Sequence, residues 1–222
     1  MFSRKSHYAE ALHSAKMAAS SGGLALSGAH VESLLISTGV VALAEIGDKT
    51  QLLAFILAAR FRKPLPIIAG IFTATIVNHG LAGALGAWIT ATVSPEVLRW
   101  VLGISFIGMA AWTLIPDKIE DEEAALAKGF GIYGATVVTF FLAEMGDKTQ
   151  LATVALAAHY GAPLLVVIGT TLGMLLADVP AVLVGGKLSA KIPMRLVHSI
   201  AAAIFAALGL ATLLGMGKGL GI

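Results

Sequence analysis

The chain has 222 residues, of which 57% are hydrophobic and only 13% charged. An ordinary soluble domain is about one quarter charged, so this composition, with a mean hydropathy of +0.88, points to a membrane. A formal net charge of +2 without a basic tract argues against nucleic acid, and the lack of cysteine excludes disulfides, thiolate metal sites and cysteine nucleophiles.

In chain order, residues 1–32 come first. "SRKSHYAEALHSAKMAAS" reads as a short surface helix and "SGGLALSG" as a linker. No sustained apolar core follows the basic start, so this is a poor signal peptide. The segment is given no function. A membrane helix needs roughly 20 mostly apolar residues. Six such runs follow, at 34–59, 65–90, 97–115, 131–158, 164–184 and 194–214. The breaks between them are short: "RFRKP", "TVSPE", "PDKIEDEEAALAKG", "HYGAP" and "GGKLSAKIP". None has room for a soluble domain. The 25 glycines suit close helix packing in lipid.

The chain repeats itself. "AEIGDKTQL" begins at Ala44 and "AEMGDKTQL" at Ala143, 99 residues later. The same shift carries Pro64 onto Pro163, Gly70 onto Gly169, Gly86 onto Gly185 and Phe106 onto Phe205. The predicted fold is an all-α integral membrane protein of six transmembrane helices, arranged as two three-helix repeats over 33–116 and 130–222. Three is odd, so the second repeat enters the membrane from the opposite side, an inverted plan that many secondary transporters use.

Loop charge sets the sides. Arg60, Arg62 and Lys63 lie between runs 1 and 2, and Lys187, Lys191 and Arg195 between runs 5 and 6. The positive-inside rule makes those loops, 60–63 and 187–195, cytoplasmic. The acidic connector 117–129 falls on the same side at little cost, because Asp and Glu weigh lightly in the rule. The N-terminal tail then lies outside despite Arg4, Lys5 and Lys16.

The motif charges fall near the middle of runs 1 and 4. A charge at that depth costs about 2.5–3.5 kcal/mol on insertion scales. Helical spacing puts Glu45, Asp48, Lys49 and Leu52 on one face. Gly47 and Gly146 weaken the helix between the acids and let carbonyls turn inward. Thr50, Gln51, Thr149 and Gln150 add neutral oxygens. In an inverted pair Glu45, Asp48, Glu144 and Asp147 converge, and Lys49 and Lys148 offset two of the four charges. The two that remain match one divalent cation. Internal ion pairing that only locks the halves together is the competing reading. Oxygen ligands suit calcium, magnesium and manganese, whereas zinc and copper want cysteine or clustered histidine. Metal and protons compete for the same carboxylates, which makes antiport the natural chemistry.

Asn78 and His79 in run 2 and Asp178 in run 5 are the other deep polar residues, and the repeat carries His79 onto Asp178. They are candidates for an ion or proton route. His159 and His198, at run ends, are expected at the membrane interface. Met145, which replaces Ile46 in the second motif, is expected to face away from the ion.

The two motifs resemble the E-x-G-D-[KR]-[TS] signature of the Gdt-type membrane proteins, whose members carry one copy in each half. The resemblance covers nearly everything after about Ser33. It implies exchange of manganese, and secondly calcium, for protons, with manganese export and homeostasis as the role. It also implies that Glu45, Asp48, Glu144 and Asp147 bind the cation, with Lys49, Thr50, Lys148 and Thr149 as motif neighbours. No enzyme activity and no cofactor are expected; the cation is cargo. The short tail favours a prokaryotic inner-membrane member of unassigned oligomeric state. Within transport, the alternative is a sodium/proton antiporter or an exporter of a small cation, against which the extra carboxylates argue. An intramembrane lipid-phosphate hydrolase would want clustered Arg or Lys with Ser or His, and no arginine lies deep in a run. A structural subunit would survive neutralisation of all four acids.

Overall fold

The computed structural model describes residues 28–115, 131–184 and 194–215. The expectations for the N-terminal surface helix, the acidic connector and most of the basic loop at 187–195 fall outside them. The chain divides after Glu32 into two compact units. Of the first, only the opening of one helix is described; the remaining helices lie in the second.

The described residues form helices and no strands. They are α1 Gly28–Glu45, α2 Lys49–Phe61, α3 Pro64–Thr92, α4 Pro95–Thr113, α5 Ile132–Glu144, α6 Lys148–Tyr160, α7 Pro163–Val184 and α8 Met194–Leu213. Proline opens α3, α4 and α7. It suits the first helical position because its missing N–H would have no partner there and its φ is already helical.

Runs 1 and 4 are not continuous helices. Each is broken inside its motif, at 46–48 and at 145–147, and α1 and α2 meet at 68°. The physical reason is Gly47 and Gly146, which take φ of 86° and 76°. A side chain rarely adopts that region. Glu45 therefore ends one helix, and Asp48 is the N-cap of the next. This corrects the expectation that Glu45, Asp48, Lys49 and Leu52 share one uninterrupted helical face. By length and hydropathy, α3, α7 and α8 are each long and apolar enough to cross a membrane. The bent α1–α2 pair makes a fourth span if it crosses as one.

The long helices α3 and α7 are central. They pack on each other; α3 also packs on α5 and α6, and α7 on α2 and α6. Glycines set the closest approaches. Gly70 of α3 sits against Tyr133 and Thr136 of α5, while Gly169 of α7 sits against Leu34 and Ser37 of α1. Each residue of the second contact is 99 positions from its counterpart in the first. Helices α4 and α8 pack together, and Phe106 and Phe205, which the repeat superposes, stack at 6.4 Å. Leucines and isoleucines such as Leu81, Ile104, Leu176 and Leu210 point outward, while the motif acids are buried. That is the polarity of a protein whose solvent is lipid.

The glycine contacts are tight enough to test. A Cβ on Gly173 would lie 2.6 Å from the Thr38 carbonyl oxygen and 2.9 Å from the Ala42 nitrogen, both backbone atoms; one on Gly108 would meet nothing. Gly173→Ala is expected to cost about 1–3 kcal/mol by overpacking, and Gly108→Ala close to nothing. Thermal unfolding in detergent reads the difference.

Candidate cation site

The two breaks are built alike. At the first, Gln51 folds back so that its Oε1 accepts the Gly47 N–H at 2.9 Å; at the second, Gln150 Oε1 accepts the Gly146 N–H at 2.8 Å. Thr50 Oγ1 donates to Glu45 Oε2 at 2.6 Å, and Thr149 Oγ1 to Glu144 Oε2 at 2.9 Å. The glycine N–H groups lie in the breaks between helices, and the motif supplies their acceptors itself. The motif Thr and Gln side chains thus hold the turn and orient the glutamates.

Each break is then closed by the other half of the chain. Gln51 Nε2 donates to the Ala177 carbonyl of α7 at 3.0 Å. Gln150 Nε2 donates to Asn78 Oδ1 of α3 at 3.4 Å, and Asn78 Nδ2 donates to the Phe141 carbonyl of α5 at 3.1 Å. The lysines follow the same rule. Lys148 Nζ lies 3.0 Å from Asp48 Oδ1, and Lys49 Nζ lies 3.6 Å from Asp147 Oδ1. Neither pair is local: each motif's lysine pairs with the other motif's aspartate.

Glu45, Asp48 and Asp147 form a tight group. Each offers one carboxylate oxygen, and all three oxygens lie within 4.8 Å of one another. All three residues are buried. Three carboxylates so close repel strongly, and oxygen ligands at this spacing suit a hard divalent cation. Glu144, the fourth motif acid, is fully buried but stands outside this group. Its charge, like those of Asp178 and Asp147, still acts on Glu45. The aspartates belong to the cross-half ion pairs, and Glu45 is oriented by Thr50.

Asn78, His79 and Asp178 are completely buried. Asn78 joins the second break, as above. Both ring nitrogens of His79 and both oxygens of Asp178 lack a hydrogen-bond partner among the described residues. Met145 is 53% exposed, on the outer side of its break, with its sulfur 3.8 Å from Gln150 Nε2.

Two further histidines make contacts between helices. His159 is buried, edge-on to Phe106 at 5.6 Å and with Nδ1 3.4 Å from Thr212 Oγ1. It is held inside because α4 and α8 close over the end of α6. His198 of α8 places Nε2 2.8 Å from the Ile46 carbonyl, one of the acceptors freed by the first break. Nothing in the sequence signals this contact beyond the presence of a histidine in the first turns of the last run. Its loss is expected to cost about 0.5–1.5 kcal/mol. His198→Ala should lower the melting temperature in detergent accordingly, and His198→Gln, which keeps a donor, should recover part of it.

Comparison with known proteins gives a consistent result. The family model described as "Divalent cation/proton antiporter GDT1" matches residues 33–121 and 132–219. A Vibrio cholerae protein named "Putative manganese exporter" is 54% identical over 186 residues, covering 82% of this chain and 92% of that one. "GDT1-like protein 5" of Arabidopsis thaliana is 29% identical over 224 residues, covering 84% and 97%. "GDT1-like protein 3" of Oryza sativa subsp. indica is 29% identical over 200 residues, covering 78% and 71%. No solved structure matches.

Proposed function

The chain belongs to the GDT1 family, as an integral membrane protein, and from that membership and the geometry of its site we propose that it exchanges a divalent cation, manganese before calcium, for protons. The observation that carries this reading is the convergence of Glu45, Asp48 and Asp147, three buried carboxylates drawn from both copies of one motif. The 54% identity to a protein named for manganese export favours manganese as the cargo and export as the direction.

On this reading the cation takes oxygens from Glu45, Asp48 and Asp147, with Glu144 adding charge. Lys148 and Lys49 neutralise the aspartates while the cation is away. An ammonium cannot ligate a metal, so each lysine must withdraw as the cation enters. Protons held by the buried acids of the site balance the cation's departure in the return half of the cycle. The two halves, 33–116 and 130–222, joined by the connector 117–129, form six spans in opposite orientations. The contacts that recur under the 99-residue shift, from Gly70 and Gly169 to the two lysine pairs, support that inverted plan. Access alternates as the halves rock about the site. The proposed location is a prokaryotic inner membrane, with 60–63, 117–129 and 187–195 on the cytoplasmic side.

The test is flux through the purified protein in liposomes under an imposed pH gradient, following manganese, calcium and sodium. The expected result is manganese and calcium movement matched by opposite proton movement. Divalent flux without counter-protons would remove the exchange. Proton-driven sodium flux without divalent flux would replace the reading with sodium/proton antiport.

A further inference from the structure

Asp178 is the buried acid that the three-carboxylate group does not use. It is 0% exposed in the middle of α7, and neither oxygen has a hydrogen-bond partner among the described residues. An ionised carboxylate in that setting carries the full penalty of desolvation with no compensating bond. Every other buried acid among the described residues has something to hold it: Thr50 for Glu45, Thr149 for Glu144, and the two lysines for Asp48 and Asp147.

Asp178 is nonetheless wired to the site. Its charge acts on Glu45 and on Glu144. Its neighbour Ala177 accepts the Gln51 bond that closes the first break. Two residues on, Pro180 lies inside α7. Proline has no N–H for the Leu176 carbonyl and loosens the helix there. The repeat partner of Pro180 is Leu81, and that of Asp178 is His79. The acid and the proline that follows it therefore occur in one half only. The titratable and charged groups at or near the breaks are Glu45 at the end of α1, Asp48 and Lys49 opening α2, His79 on α3, Glu144 ending α5, and Asp147 and Lys148 opening α6; the others on these elements, His30 and Glu32, Arg60, Tyr133, and His159 with Tyr160, lie at the far ends of α1, α2, α5 and α6.

We propose that Asp178 carries a counter-transported proton, and that this proton and the cation on Glu45, Asp48 and Asp147 displace one another through charge, without a shared ligand atom. The inference rests on the exchange reading given above. A divalent cation on the group favours the carboxylate form of Asp178, which gives its proton to the water on the side from which the cation entered. When the cation leaves on the other side, the uncompensated carboxylates draw a proton from that side onto Asp178. The coupling is reciprocal: a proton on Asp178 weakens cation binding by the factor by which the cation weakens proton binding.

The experiment compares wild type, Asp178→Asn and Asp178→Glu in liposomes, each checked for a monodisperse elution profile. Two fluxes are measured: manganese-for-manganese exchange at equal pH, which needs no proton movement, and manganese accumulation driven by a pH gradient. In wild type, the manganese half-saturation concentration for exchange should rise at least about fivefold as both compartments are acidified. Asp178→Asn should keep exchange, lose gradient-driven accumulation and lose a large part of that pH dependence. Asp178→Glu should retain all three. Gradient-driven accumulation at wild-type levels in Asp178→Asn would overturn the proposal. So would loss of exchange along with accumulation in folded Asp178→Asn, since that places Asp178 in cation binding. If wild type itself exchanges no manganese, the underlying reading fails, and the proposal with it.

Discussion

Asp48→Asn, Asp147→Asn and Glu45→Gln are each expected to abolish gradient-driven manganese uptake, whereas Glu144→Gln is expected to leave a measurable fraction. Each substitution keeps the shape of the side chain and removes its charge. For the first three, that also removes a ligand oxygen from the group in which all three oxygens lie within 4.8 Å. Loss of an outer-shell partner alone typically costs about 10- to 100-fold in metal affinity or activity, so loss of a ligand should cost at least that. Glu144 stands outside the group and acts through its charge, which places it at the milder end. Initial rates of manganese uptake into liposomes, with protein content matched, separate the two classes. Equal loss in Glu45→Gln and Glu144→Gln would show that the two motif glutamates serve the cation equally. Wild-type uptake in Asp48→Asn and Asp147→Asn would remove the cation from this site altogether.

The second large effect concerns stability. Lys148→Met is expected to destabilise the protein by about 3–5 kcal/mol when no divalent cation is present. Lys148 and Asp48 are almost entirely buried and 3.0 Å apart. Breaking such a pair leaves a buried charge uncompensated, and that penalty exceeds what the pair contributes while intact. Lys49→Met should cost less, because its side chain is 20% exposed and its pair with Asp147 is longer, at 3.6 Å. Adding Asp48→Asn to Lys148→Met should return part of the loss, since no unpaired charge then remains. Thermal unfolding in detergent with a chelator measures wild type and the three variants. A double variant less stable than Lys148→Met would mean that the lysine's packing matters more than its charge. Manganese should narrow the gap between wild type and Lys148→Met, because a cation held by the folded state stabilises it and compensates Asp48 in place of the lysine.

Several features were readable from sequence because they depend on local composition. The apolar runs, the placement of proline at the starts of α3, α4 and α7, and the 99-residue repeat all have a one-dimensional signature. The glycines flagged the weak points at Gly47 and Gly146, but not the size of the bend, since apolar sequence continues on both sides of the motif. What a local reading cannot see is which half supplies each partner. Lys49 sits beside Asp48 in the sequence and pairs with Asp147. The inequality of Glu45 and Glu144 is also invisible in two nonapeptides that differ at one letter. It enters through neighbours that do not repeat, such as Asp178 opposite His79 and Asn78 opposite Ala177. The His198 contact with Ile46 joins residues 152 positions apart and leaves no local trace.

The cross-half pairing has a consequence for biosynthesis. Asp48 waits for Lys148, 100 residues further along the chain. At roughly 5–20 residues per second, the first motif leaves the ribosome about 5–20 s before the lysine that will neutralise it. During that interval the α1–α2 break carries bare charge, too costly to release into lipid alone. The insertion machinery, or water at its boundary, must therefore shelter the first half until the second arrives. Slowing translation anywhere between the two motifs should lengthen that exposure and increase degradation of the newly made chain.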